Sequence, residues 1–201
     1  QNISQDVALD GVARATVNRA LTALAETGVI ERKKRAGTRV AELPVRRARL
    51  EIPVIRLDVL GRGLTYGFDV LADRLTPAPV PVTARLGLPE GVTMRYFETL
   101  HLAGGRPYVL EARWLNPAVL PSPPPDFALV SANEWLVTHV SLVSGDIAFT
   151  AEPASLREAE VLGIQTGTPL LVAERTTYGT AGPVTLVRLA HAPGHRVQMV
   201  F

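Results

Sequence analysis

ARATVNRALTALAETGVIERKKRAGTRV, residues 13–40, carries the pattern on which the architecture turns. Over Ala13 to Glu26 the apolar residues Val17, Leu21 and Leu24 recur at helical spacing among good helix formers, and Gly28 stands where such a helix stops. Ahead of it, Asp10-Gly11 supplies turn chemistry after a second short helical stretch, Ile3 to Leu9, so two helices meet across a tight turn. Behind it, Val29-Ile30 and Arg39-Val40 bracket a segment whose Gly37 can reverse the chain and whose Arg32, Lys33, Lys34 and Arg35 resist burial. The expected unit is a helix-turn-helix followed by a hairpin with a basic tip.

Arg14 and Thr16 lie in the first turn of the second helix, where side chains can meet base edges or phosphates, and Asn18 and Arg19 continue that surface. The hairpin residues Arg32, Lys33, Lys34 and Arg35, with Gly37 and Thr38, would sit at wing distance and neutralise backbone phosphates. The plainer alternative is an exposed amphipathic helix beside a charged hairpin. Charge follows the same division: residues 1–49 hold ten Arg or Lys and five Asp or Glu, a net of +5, and the remainder has a net of −3. A small nucleic-acid-binding module fused to a neutral or acidic domain has this asymmetry.

The 201 residues, with 47% hydrophobic content, suffice for two cores. Cysteine is absent, which excludes disulfides, thiolate metal sites and cysteine nucleophiles and suits a reducing, cytoplasmic setting. No apolar run approaches the roughly 20 residues that cross a bilayer, and Gln1 to Ala15 lacks the plan of a signal peptide, so no membrane partner is expected.

Beyond Leu43 to Arg49, which reads as a linker, strand-like stretches dominate: Leu50 to Leu60, Pro81 to Leu86, Met94 to Ala103, Tyr108 to Leu115, Pro169 to Tyr178 and Val184 to His191. Gly104-Gly105 and Thr180-Ala181-Gly182 join neighbours as hairpins, so the strands are expected to be antiparallel. Helical patterns occupy Ser131 to Val140 and Ser155 to Leu162, the latter ended by Gly163, while Pro121 to Pro125 reads as a surface loop. The fold class is α+β: a winged helix-turn-helix over 1–42, a linker over 43–49, and an antiparallel-sheet domain over 50–201.

Residues 11–40 resemble the helix-turn-helix and wing of GntR-type bacterial repressors, in the order Arg14, Thr16, Val17, Arg19, Ala20, Leu21, Gly28, Gly37 and Thr38. Asn18 departs from a pattern that usually has a basic residue. ARLGLPEGV at 84–92, LHLAGGRPYVLEARWLNP at 100–117, AEVLGIQTGTPLLVAERTTY at 159–178 and GPVTLVRLAHAPGHR at 182–196 resemble the effector domain (UTRA domain) of the histidine-utilisation-repressor subfamily, similar in fold to chorismate lyase. In that family a further helix precedes the pair read here. Ile3 and Val7 need a partner surface, so a preceding segment is expected.

The resemblance implies a double-stranded DNA operator, a homodimer and a small-molecule effector held on one face of the sheet. It points to His101, Glu111 and Arg113 on one hairpin and to Arg175, Tyr178 and Arg188 on the other. Arg113 and the adjacent Trp114 must point to opposite faces. A buried Arg113 requires an anion, which either a ligand carboxylate or phosphate or the neighbouring Glu111 would supply. Arg175 and Arg188 carry the same two readings, and Tyr178 either closes the pocket or caps a strand edge. Ser131 is expected to cap the helix at 132, where free amides would otherwise serve an anion. Sugar-phosphate-sensing relatives carry two arginines where this chain has Thr99 and His101, and the histidine resembles the branch that senses urocanate, so a small carboxylate is the expected effector. No cofactor is expected, nor a metal, since His101, His139, His191 and His195 are scattered. Catalysis on a lyase-like domain is the competing class, but no nucleophile and base stand together in sequence; a sensor of sugar phosphate and an architectural DNA binder without ligand are further alternatives.

Overall fold

The computed structural model describes residues 14–26, 30–33, 37–40 and 54–197. The expected helix at Ile3 to Leu9, the linker Leu43 to Arg49, and Lys34 and Arg35 lie outside the described residues. Two compact units divide the chain, residues 1–51 with 198–201 and residues 52–197.

In the first unit, α1 (Arg14–Glu26) precedes β1 (Ile30–Lys33) and β2 (Gly37–Val40). The strands pair antiparallel with Ile30 opposite Val40. Val17 and Leu21 are half-buried on α1, as their spacing requires; Leu24, expected on the same face, is 42% exposed and Ala25 is half-buried instead, because 17, 21 and 25 keep the four-residue step that stays on one side, while Thr16, Asn18 and Arg19 are exposed. Ile30 and Thr38 are buried.

In the second unit, α2 (Ile55–Gly61) leads into β3 (Tyr66–Pro77), α3 (Val80–Leu86), β4 (Thr93–Ala103) and β5 (Arg106–Leu115). A 3-10 turn at Pro117–Val119 precedes α4 (Ala132–His139), β6 (Leu142–Pro153), α5 (Leu156–Leu162), β7 (Pro169–Gly179) and β8 (Gly182–His191). The six strands form one antiparallel sheet in the order β3-β4-β5-β8-β7-β6. Two meanders, β3-β4-β5 and β6-β7-β8, are therefore joined along β5 and β8.

Strand alternation sorts the side chains onto two faces. On one, α3 and α5 cover Met94, Leu110, Leu170, Val172, Leu186 and Ala190. On the other, Ile55 of α2 packs on Val109, Ala173, Val187 and Leu189, and Ala132 and Leu136 of α4 pack on Phe97 and Leu115. Trp114 joins the α3 cluster while Arg113 is buried on the opposite face, as their adjacency demands.

Two expected strands are helices. Leu50 to Leu60 is helical from Ile55, because Ile55 and Val59 sit one turn apart on the sheet side and Asp58 and Arg62 pair at 3.1 Å across the next turn. A short apolar run is equally compatible with either element. Pro81 to Leu86 belongs to α3: Pro81 falls in the first turn, where its missing N–H costs nothing, and Gly87 ends the helix in the left-handed conformation at φ 66°.

Candidate functional site

Helix α4 lies over the sheet where the two meanders meet, and a small cleft opens beneath it. Its polar lining is Arg113, Asn133, Arg175, Thr177 and Thr185, and its apolar lining includes Leu136, Leu142 and Val184. The register fixes this convergence: Arg113 on β5 and Arg175 on β7 both stand opposite Val187 of β8, so two guanidinium groups flank one small apolar side chain.

Arg113 is fully buried and fully partnered. Its Nε donates to Glu111 Oε1 at 2.6 Å, Nη1 to Thr185 Oγ1 at 3.3 Å and Nη2 to Asn133 Oδ1 at 3.2 Å. Burial works against the Glu111 charge, yet the Arg113 guanidinium and then the His101 and Arg113 hydrogen bonds hold its carboxyl well below the usual range. His101 continues the chain, with Nε2 3.4 Å from Glu111 Oε2 and Nδ1 2.9 Å from the Tyr66 hydroxyl. A carboxylate only accepts, so the consistent tautomer carries its proton on Nε2 and accepts from Tyr66 on Nδ1. Burial, followed by the Glu111 and Glu134 carboxylates, pushes the Tyr66 hydroxyl upward against the pull of Arg56.

Arg175 differs. It is 5% exposed and donates through Nη2 to the same Asn133 Oδ1, while its Nε and Nη1 are buried without an acceptor. Burial, then the nearby charge of Arg113, lowers its pKa to about 10, with Glu111 opposing, so it remains charged at neutral pH. Each such orphaned donor costs about 1–3 kcal/mol in a closed core. The cleft thus holds two guanidinium charges against one carboxylate, and the excess belongs to the cation whose donors are open.

Of the residues expected to meet an effector, Arg113 and Arg175 line the cleft, while Glu111 and His101 stand behind Arg113 in its hydrogen-bond chain and do not line it. Ser131 precedes α4, its side chain makes no capping bond, and its carbonyl accepts from Trp135 N–H at 3.0 Å. Arg188 and Tyr178 do not join. Arg188 sits one residue out of phase with Val187, on the α5 face, bound to Glu152 at 2.7 Å and to Glu158. Tyr178 donates to the Arg85 carbonyl at 3.2 Å, on the α3 side. Sequence reading missed Asn133, Thr185, Thr177 and Tyr66. Asn133, alone between Ala132 and Glu134 in the first turn of a helix with a buried side, was the one detectable signal. Among the described residues, no cluster of His, Asp and Glu is arranged to hold a metal ion, and no helix is long and apolar enough to cross a membrane.

Glu134, beside Asn133 on α4, faces outward and binds Arg56 of α2 through both carboxylate oxygens, Nε at 3.0 and 3.2 Å and Nη2 at 2.5 Å. The Arg56 hydrogen bond holds the Glu134 carboxyl below its usual range.

The UTRA-domain model matches residues 61–198. The histidine utilization repressor of Pseudomonas putida is 31% identical over 187 residues, 92% of this chain and 75% of that protein. The repressor of the same name from Klebsiella aerogenes is 29% identical over 96% of this chain and 80% of its own length. Among solved structures, the C-terminal domain of the histidine utilization repressor from Pseudomonas syringae pv. tomato aligns with a TM-score of 0.63 at 27% identity, covering 68% of this chain and 99% of that one. PhnF of Mycobacterium smegmatis shares the fold, with a TM-score of 0.66 at 23% identity over 94% of this chain and 85% of that one. The chain belongs to the GntR family of transcriptional regulators, in the histidine-utilisation-repressor subfamily with a UTRA effector domain.

Proposed function

We propose that this chain is a repressor that binds its operator as a homodimer through the helix-turn-helix and wing of residues 1–42, and that a small monocarboxylate, with urocanate as the leading candidate, sets its affinity for DNA from the 50–201 domain through the linker at 43–49. One observation carries the effector class: Arg175, in the lining of the cleft, has two buried guanidinium donors without an acceptor, whereas Arg113 beside it is already neutralised by Glu111. A single negative charge balances that site. A phosphate dianion would exceed it, which argues against a sugar phosphate. The planar guanidinium matches a carboxylate in geometry as well as in charge. The cleft as it stands has room for about one water molecule, so the effector would enter by widening it against its apolar lining of Leu136, Val137 and Leu142.

Thermal-shift and calorimetric titration of the whole chain with urocanate, other small carboxylates and sugar phosphates tests this. A carboxylate at a hundred times its Kd should add about 2.7 kcal/mol of stability. Binding of sugar phosphates with no response to any carboxylate would overturn the effector assignment. Sedimentation of the whole chain tests the dimer, for which near-palindromic half-sites require a two-fold protein.

A further inference from the structure

We propose that the Arg56–Glu134 ion pair is a latch that passes occupancy of the Arg175 cleft to α2, the first described element after residues 41–53 and hence the end of the domain that leads back toward the winged-helix residues. This rests on the reading above that the cleft takes an anionic effector.

Three contacts on one short helix carry the inference. Asn133 of α4 is the only side chain that bonds both cleft arginines among the hydrogen bonds described, and its single Oδ1 serves Arg113 and Arg175 together. The next residue, Glu134, makes a two-oxygen pair with Arg56. Adjacent residues on a helix point about 100° apart, so one cannot shift without turning the other. An anion arriving on Arg175 competes with Asn133 for that guanidinium. Once Arg175 is drawn to the ligand, Asn133 gives up the Arg175 bond and resettles on Arg113, the first turn of α4 shifts with it, and Glu134 turns away from Arg56.

The pair is suited to break on demand. Arg56 and Glu134 are 39% and 26% exposed, so water compensates both ends when they part. Glu111 and Arg113, fully enclosed, have no such option and stay fixed. On α2, Ile55 and Val59 pack inward and the Tyr108 hydroxyl holds Asp58, while Leu57 and Leu60 are exposed, so the helix can respond at its Arg56 end with these inner contacts kept.

The test is amide hydrogen exchange on α2, residues 55–61, in the full chain. Asn133→Ala, which removes the competitor as a ligand would, should speed α2 exchange about fivefold or more, and Glu134→Gln should do the same. The double variant should match either single one, because both break the same link. The charge swap Arg56→Glu with Glu134→Arg should restore the slow exchange. Asn133→Asp, which supplies Arg175 with an internal carboxylate and keeps the contact, should leave α2 exchange at or below the parent rate and prevent urocanate binding. Additive effects of Asn133→Ala and Glu134→Gln, or unchanged α2 exchange in Asn133→Ala, would overturn the latch. Urocanate on the parent should reproduce the Asn133→Ala pattern. If urocanate gives no heat and no change while the variants behave as stated, the effector assignment fails and the latch stands.

Discussion

Arg113 and Arg175 stand on either side of Val187, yet replacing them has opposite consequences. Arg113→Met strands the Glu111 carboxylate in the core and should destabilise the domain by about 3–5 kcal/mol. Arg175→Met removes a buried cation with two orphaned donors, so the ligand-free protein should gain about 1–3 kcal/mol, seen as a Tm several degrees higher. The same variant should lose carboxylate binding by calorimetry. A binding group kept at the expense of stability behaves this way, whereas a structural group does not. Arg188→Ala should leave ligand affinity unchanged, since that side chain is held by Glu152 and Glu158 on the far face. Sequence alone left Arg113, Arg175 and Arg188 equivalent. Strand phase separates Arg188 from the other two, and only the three-dimensional partner list separates Arg113 from Arg175.

Strands were legible in proportion to how densely apolar they are. β4, β5, β7 and β8 have dense apolar content and glycine hairpins, and all four were read from sequence. The outer strands β3 and β6 were missed: β6 exposes both faces over most of its length, and in β3 the alternation of half-buried and exposed residues over 68–73 is blurred in sequence by Leu71 and Leu75 at exposed positions. α5 announces itself through Ser155 and Glu158, which bond each other's backbone N–H as a capping box, and Gly163 at φ 67°. Ser155→Ala should cost about 1 kcal/mol in denaturant unfolding. Near α2, His195 packs 4.0 Å from His191 and 5.2 Å from Tyr108, whose hydroxyl donates to Asp58. Burial, then the charges of His191 and Arg62, lowers the His195 pKa to about 4, with Asp58 opposing. The unfolded chain takes up that proton near pH 6.5, the folded chain only near 4, so stability should be undiminished above pH 6.5 and fall as the pH drops through this window. Melting curves of His195→Gln should show a shallower decline over the same range.

At the scale of the whole molecule, the positive charge of residues 1–49 predicts how DNA affinity responds to salt. Lys33→Ala with Lys34→Ala should weaken binding equally on all sequences and reduce the slope of log affinity against log salt by about 2, while Arg19→Ala should weaken a preferred site more than random DNA. Fluorescence anisotropy at several salt concentrations separates the two. The effector can shift operator affinity only by as much as its own affinity differs between the two arrangements, typically about 1–3 kcal/mol. The strand order carries a further consequence. β3-β4-β5 and β6-β7-β8 are each built from neighbours in sequence, and the seam between β5 and β8 is the one long-range zipper in the sheet. Arg113 comes from the first meander, Arg175 and Thr185 from the second, and Asn133 from the connection between them. An effector bound at the proposed site would be a rivet across this seam, whose distant partners in sequence make it the costliest pairing to close and are expected to meet late in folding. It should leave the folding rate nearly unchanged and slow unfolding, so that ligand appears in the unfolding arm of a chevron plot and not in the folding arm.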